Sequence, residues 1–207
     1  MRLRIPGSEP LRSRAKGLNS VLVERRRLLH RRTGAAIESL YRDRLENHYA
    51  NLARHYRHSD DVAKAVEYLR LASEQAVEQL AYSEAAADLK AAIALVGGLP
   101  EGTDRLRIEL ALHITEGSIA TVLHGIGSQE RERAFERACE ISERLGDTTS
   151  LLRGSIFLSF LYIARGEPVR SREICSRHIE WPSSPVWWKY LHPRIGLSNS
   201  APFSAAI

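Results

Sequence analysis

The sequence predicts an all-α fold of about eight helices arranged as a linear array. Three observations predict it: apolar residues recur at helical spacing, stop signals separate the segments, and no stretch alternates convincingly as a strand would. The chain has 207 residues, of which 43% are hydrophobic and 27% charged. This composition is that of a folded protein with one sizeable core or one short array.

The clearest helix is predicted over residues 61 to 80, and Ser59 with the two aspartates after it suits its N-terminus. Its apolar stripe, spaced by threes and fours, comprises Val62, Ala65, Val66, Leu69, Ala72, Ala76, Val77 and Leu80. A second stripe begins at Tyr82 and ends at Gly97 and Gly98, which are typical helix stops. Each segment therefore predicts a helix that buries one face.

Start and stop residues predict the remaining helices. One starts near Thr103, runs through Val122 and ends around Gly125 and Gly127; the next starts at Ser128 and ends at Gly146. The following helix is predicted to start at Thr148 or Thr149 and to end at Gly166. The last helix is predicted to start at Pro168, because proline suits a first helical turn. Upstream, segments near 20 to 39 and 42 to 58 are also helical in pattern.

Small and large residues at fixed positions indicate closely nested helix pairs. The residues with this spacing, which is typical of tetratricopeptide repeats, are Leu52, Ala53, Tyr56, Ala65, Leu69 and Ala72. The alanines would let backbones approach, while the larger side chains fill the space beside them. A weaker second match comprises Leu158, Ser159, Tyr162, Ser171, Cys175 and His178. A tetratricopeptide-like solenoid is favoured over a closed helix bundle, which also places small residues at helical spacing.

Three segments resemble the tetratricopeptide-like repeat region of large bacterial signalling proteins. They read NSVLVERRRLLHRRTGAAIESLY, LARHYRHSDDVAKAVEYLRLASEQAVEQLAYSEAAADLKAAIALVGGLP and ERAFERACEISERLGD. Such proteins join an adenylate or guanylate cyclase domain and a nucleotide-binding ATPase module to the array, and related regulators of the MalT type end in a DNA-binding helix-turn-helix. The resemblance covers roughly residues 18 to 178. It implies a non-catalytic protein-interaction and signal-transmission module of a larger cyclase or signalling ATPase; the alternative is a part of a MalT-type regulator.

Positive charge is concentrated at the N-terminal end. Residues 1 to 32 carry ten arginines and lysines against two glutamates, a local charge of +8, whereas the whole chain has +5. By the resemblance, this end follows the ATPase module, so that its arginines could contact acidic groups of a neighbouring domain: Arg25, Arg26, Arg27, Arg31 and Arg32. A solvated helix face is the alternative. Nucleic-acid binding is disfavoured, because residues 1 to 32 contain no aromatic side chain for stacking.

The expected partner is therefore protein: the neighbouring ATPase or cyclase module, or another signalling protein. The longest uncharged apolar stretch, residues 155 to 164, has ten residues, half of the roughly 20 that a membrane-spanning helix needs. The arginines and the Pro-Gly pair near Met1 do not form a secretory signal. We expect a cytoplasmic protein with no membrane contact.

No catalytic or cofactor-binding motif is recognisable. A phosphate-binding loop would place glycines around a lysine, and the only Lys-Gly pair, Lys16-Gly17, lacks that arrangement. His48, His55 and His58 could share a helix face, but packing or surface roles are favoured over metal binding. We expect no enzyme activity, no cofactor, no metal and no disulfide, since Cys139 and Cys175 lie in helical patterns as free thiols.

The sequence divides into three parts. Residues 1 to 17 are expected to be an irregular basic segment, residues 18 to 179 the repeat region, and residues 180 to 207 an irregular tail rich in Trp and Pro. The family would continue with further helices beyond Ile179. We therefore expect a fragment, with a tail produced by truncation or frame disruption, although a genuine tail is the alternative.

Overall fold

The chain is all-α in the computed structural model, which describes the backbone of residues 9 to 178 and the side chains of residues 21 to 177. Within this range there are eight α-helices, one short 3₁₀ helix and no strand. The α-helices are α1 (Glu9–Leu40), α2 (Tyr49–Arg57), α3 (Val62–Glu78), α4 (Tyr82–Val96), α5 (Thr103–His124), α6 (Gln129–Leu145), α7 (Thr148–Ala164) and α8 (Pro168–His178).

The helices pack in the order of the chain. In the described part, extensive contacts join each helix to the one before and the one after it, from α1 against α2 to α7 against α8. Contacts between sequence neighbours are typical of a linear helical array. The core is correspondingly spread along the chain as successive clusters of buried side chains.

Side-chain caps and glycines set the helix ends. Asp61, Ser128 and Asp147 each accept a hydrogen bond from the backbone N–H three residues ahead, at the starts of α3, α6 and α7. Gly146 ends α6 with a φ of +66°, a left-handed conformation that favours glycine. Ser128 and Gly146 were predicted at these positions, and α7 begins at Thr148 as predicted, with Asp147 as its cap.

The N-terminal prediction was wrong for the part that the structure describes. Residues 1 to 17 were expected to be irregular, but α1 begins at Glu9. Pro10 is tolerated there, because the first helical turn has no intrahelical partner for its missing N–H. The residues that follow include good helix formers such as Leu11, Ala15 and Lys16. The tail, residues 180 to 207, lies outside the described residues.

Three further predictions need correction. The segment near 42 to 58 is not one α-helix, since Arg42–His48 forms a 3₁₀ helix with a non-helical Arg44 and α2 begins only at Tyr49. Leu80, predicted on the buried stripe of α3, is 71% exposed and has a φ of +62°, because the helix ends two residues earlier. Val122 of α5 is also exposed.

Candidate interaction surface

The first helix extends past its neighbour. Helix α1 has 32 residues and α2 only nine, so that at about 1.5 Å per residue α1 is several times longer. The arginines predicted to contact another domain all lie on α1 and are all exposed: Arg25, Arg26, Arg27, Arg31 and Arg32. Of these five arginines, only Arg31 forms an ion pair with a described residue, Asp60 at 3.0 Å. The structure therefore leaves most of this charge available to a partner.

The C-terminal half of α1 packs closely against the array. A Cβ placed on Gly34 would lie 2.8 Å from the ring of Tyr56, so that only glycine allows this approach. Ile37 packs against the same core cluster. Glu38 accepts hydrogen bonds from Lys64 Nζ and, at 2.7 Å, from the hydroxyl of Tyr68. These contacts fix one face of α1 and its direction.

The Glu38 cluster links α1 to α2 and α3. Burial alone would raise the pKa of Glu38, but the hydrogen bonds from Lys64 and Tyr68 outweigh it and lower that pKa. Burial and the bond to Glu38 raise the pKa of Tyr68. The rings of Tyr56 and Tyr68 stack at 5.4 Å between centroids. The cluster is satisfied by its own members, so that its role is to hold α1 in place.

A shallow cleft of about 340 Å³ opens beside this cluster. It is lined by Ala35, Glu38, Ser39, Arg42, Leu45 and Tyr68. The side chain of Arg42 is exposed and forms no hydrogen bond or ion pair with another described residue. The cleft is open to solvent and not enclosed.

Three histidines meet where α1 crosses the end of α2. His30 Nδ1 lies 3.2 Å from His55 Nδ1, and the His30 ring centroid is 5.3 Å from those of His55 and His58. His48, grouped with these residues from its spacing, instead stacks on Tyr41. Among the described residues no group of three or more His, Cys, Asp or Glu has an arrangement suited to a metal ion.

The six repeat-signature residues lie in one buried cluster. Leu52, Ala53, Tyr56, Ala65, Leu69 and Ala72 are each at most 4% exposed. Ala53 and Ala65 are twelve residues apart, and the same step recurs at further helix pairs. Ser73 Oγ donates to the carbonyl of Ala85 at 3.0 Å, and Ser159 and Ser171 hydroxyls are 2.7 Å apart. Small residues therefore bring successive helices together at regular places along the chain.

Only part of this recurrence was read from the sequence. Ser159 and Ser171 belong to the weaker second match, and the structure places Leu158 and Tyr162 of that match in the core. Cys175 is half-buried, and the side chain of His178 is not described. The Ser73 and Ala85 pair was missed, although the twelve-residue step from Ala53 to Ala65 was the signal that could have found it.

A second ionic cluster joins α6, α7 and the α7–α8 turn. Glu132 accepts hydrogen bonds from Arg165 at 2.6 Å and from the hydroxyl of Tyr162 at 2.9 Å. These bonds outweigh burial and lower the pKa of Glu132, while burial and Glu132 raise the pKa of Tyr162 to about 12. Arg165 also donates to the carbonyl of Gly127. Like the Glu38 cluster, this one positions helices and is satisfied internally.

The thiols are free. Cys139 is buried against α7 and Cys175 is half-buried, and neither forms a disulfide. Burial raises the pKa of Cys139 to about 11, so that its reactive thiolate form is suppressed. A Cβ on Gly154 would lie 2.6 Å from Cys139 Sγ. The thiol thus fills the space left by the glycine.

Between Glu9 and His178, no helix combines the length and the apolarity required to cross a bilayer. The surface that emerges from the geometry is the set of exposed arginines between Arg25 and Arg32 on α1, whose C-terminal half is held against α2 and α3. No protein-family model, no curated protein and no solved structure matches this chain.

Proposed function

We propose that the chain is a non-catalytic protein-interaction module, a tetratricopeptide-like array that presents the basic surface of α1 to a protein partner. The observation that carries the proposal is the exposed set of arginines on a helix whose other half is tightly anchored. A rigidly held helix presents its charges at low entropic cost, which favours specific recognition.

The regular close approach of successive helices supports the array. Each approach is made by a small residue, as at Ala53, Ser73 and Ser159, and such nesting leaves each helix exposed on the side away from its neighbours. Repeat arrays use these surfaces to contact proteins or peptides. Membership of a larger cyclase or signalling ATPase rests on the sequence resemblance alone, and with it the identity of the partner as a neighbouring ATPase or cyclase module.

The proposal is tested with the purified full chain. A photo-crosslinking residue at Arg27 or Arg32 is expected to capture a protein with an ATPase or cyclase module, and 0.5 M salt, where the screening length is only about 4 Å, should weaken capture. The matched control carries the crosslinker at exposed Lys90 of α4, remote from α1 in the chain.

Two results would contradict the proposal. Sustained ATP hydrolysis or cyclic-nucleotide formation by the purified chain would show an enzyme. Salt-dependent binding of an oligonucleotide that is lost when Arg25, Arg26 and Arg27 are changed to glutamine would show a nucleic-acid surface instead. Capture at Lys90 but not at α1 would place the interaction elsewhere on the array.

A further inference from the structure

The face of α1 that points away from the array carries a regular row of residues. Starting at Leu22, steps of three and four residues lead to Arg25, Leu29, Arg32 and Ala36. Alternating steps of three and four are the spacing of the contact line in a coiled coil. We call these five residues the outer seam. Apolar residues occupy every second position of the outer seam, and an arginine lies between each pair.

The outer seam lies opposite the anchored face. The anchored face is defined by His30, Gly34, Ile37 and Glu38, which contact α2 and α3. With about 3.6 residues per turn, the outer seam is centred roughly 150° around the helix from these positions. The helices of the described chain therefore cannot cover it while those contacts are kept.

Side-chain exposure agrees with this geometry. Leu22 is 61% exposed and Leu29 is 56% exposed. Leu40, one turn beyond Ala36, is 73% exposed. Arg25, Arg32 and Ala36 are exposed as well. Large apolar side chains in a regular row on one helix face are unusual for a surface without a partner.

The arginines decide which partner fits. In a symmetric pair of two copies the same face meets itself, so that Arg25 and Arg32 of one copy would face the arginines of the other. Against a membrane, Arg25 and Arg32 would be pressed into the apolar layer, because they lie among the leucines and not on the opposite side of the helix as in interfacial helices. A protein helix can instead place carboxylates opposite the guanidinium groups.

We propose that the outer seam binds an acidic amphipathic helix of a partner protein, with apolar residues against Leu22 and Leu29 and with Asp or Glu against Arg25 and Arg32. This inference rests on the proposed interaction function and names the chemistry of its partner. The leucines supply the apolar contact, and the arginines select an acidic helix over a basic one.

The test uses the full chain and a synthetic three-heptad helix with leucine and glutamate alternating along its contact line. Binding is measured by titration calorimetry, together with that of the same peptide carrying lysine for glutamate. The chain is expected to bind the glutamate peptide at least about tenfold more tightly than the lysine peptide. Arg25→Glu should reverse or abolish this preference.

Lys90→Glu is the matched control. Lys90 is exposed on α4, outside the basic surface of α1, and Lys90→Glu changes the net charge by the same amount as Arg25→Glu. It should retain the preference for the glutamate peptide to within about threefold. The double variant Leu22→Ser with Leu29→Ser should bind the glutamate peptide at least about tenfold more weakly. Circular dichroism should show that its helix content is unchanged.

Several outcomes would overturn the proposal. Equal losses of binding in Arg25→Glu and Lys90→Glu would indicate general charge attraction. Tighter binding to phosphatidylserine vesicles than to the peptide would indicate a membrane surface, and concentration-dependent dimers that Leu22→Ser removes would indicate a second copy. If the chain does not bind the glutamate peptide but crosslinking captures a partner, only the proposal for the outer seam is refuted. If neither experiment shows binding, the proposed interaction function is refuted too.

Discussion

At the scale of single residues, glycine at position 117 determines how closely α5 and α6 approach. A Cβ there would lie 2.6 Å from the ring of Phe135, which is almost fully buried. Glycine inside a helix costs about 1 kcal/mol relative to alanine, so that its presence in α5 reflects this contact and not helix propensity.

We therefore expect Gly117→Ala to lower the free energy of unfolding by about 1–3 kcal/mol, because overpacking outweighs the better helix propensity. The measurement is urea unfolding followed by circular dichroism. Gly97→Ala is the control: a Cβ at Gly97 has no atom within 4 Å, and its backbone is right-handed helical. Gly97→Ala should leave stability unchanged or raise it slightly; an equal loss in both variants would contradict the packing argument.

Residue roles were predictable where chemistry is local. Ser128, Gly146 and Pro168 act on the backbone beside them, and the structure places them at the expected ends of helices. Roles that depend on a residue far away in the chain could not be predicted from the sequence. The approach of Gly34 to Tyr56 and the bond from Tyr68 to Glu38 join residues more than twenty positions apart, and no periodicity encodes such pairs.

At the scale of the helices, two adjacent aspartates have different roles. Asp61 caps α3 by accepting the Lys64 N–H at 3.1 Å, whereas Asp60 forms an exposed ion pair with Arg31. We expect Asp61→Ala to lower the free energy of unfolding by about 1 kcal/mol and Asp60→Ala by less, since exposed ion pairs contribute little. Chemical unfolding of both variants measures this. A larger loss in Asp60→Ala would reverse the assignment.

The contact between α1 and α2 should respond to pH. Burial lowers the pKa of His30 below its usual 6.5, and His55, His58, Arg26 and Arg54 lower it further. The unfolded chain therefore takes up a proton first as the pH falls, so that stability is lost from about pH 6.5 downward until the folded-state pKa is passed. The ion pair from Arg31 to Asp60 opposes separation of the helices.

His30→Gln tests this response. It should reduce the fall in thermal midpoint between pH 7.5 and pH 5.5, because the glutamine stays neutral in both states. The carboxyls whose pKa values are lowered, Glu38, Glu132 and Asp147, lose their stabilising effect only nearer pH 4. His124→Gln, on an exposed position of α5, is the control. If the thermal midpoint of His30→Gln falls as much as that of the unaltered chain, the histidine contact is not the cause of the pH response.

The sequence predicted the helix boundaries less accurately near the N-terminus than in the rest of the described chain. Arg44 adopts a non-helical φ of −148° inside a segment whose apolar spacing is helical, since the chain must turn there for α2 to return along α1. The outer seam was also missed, although its steps of three and four residues are visible in the sequence. The arginines at Arg25 and Arg32 interrupt its apolar pattern, and a search for apolar residues alone passes over them.

At the scale of the whole molecule, packing between sequence neighbours predicts that damage stays local. Leu161 and Leu69 are both almost fully buried, Leu161 in the cluster of α6 to α8 and Leu69 in that of α1 to α5. Truncating a buried leucine to alanine costs about 2–5 kcal/mol. In a linear array this cost falls on the repeats that contact the site.

We expect Leu161→Ala to increase amide hydrogen exchange in α6, α7 and α8 while protection in α2, α3 and α4 is retained. Leu69→Ala should give the reverse pattern. Exchange detected by mass spectrometry on the two full-length variants makes the comparison, each acting as the control for the other. A bundle closed on one core unfolds as a unit, so that equal loss of protection along the chain in both variants would favour the closed bundle over the array.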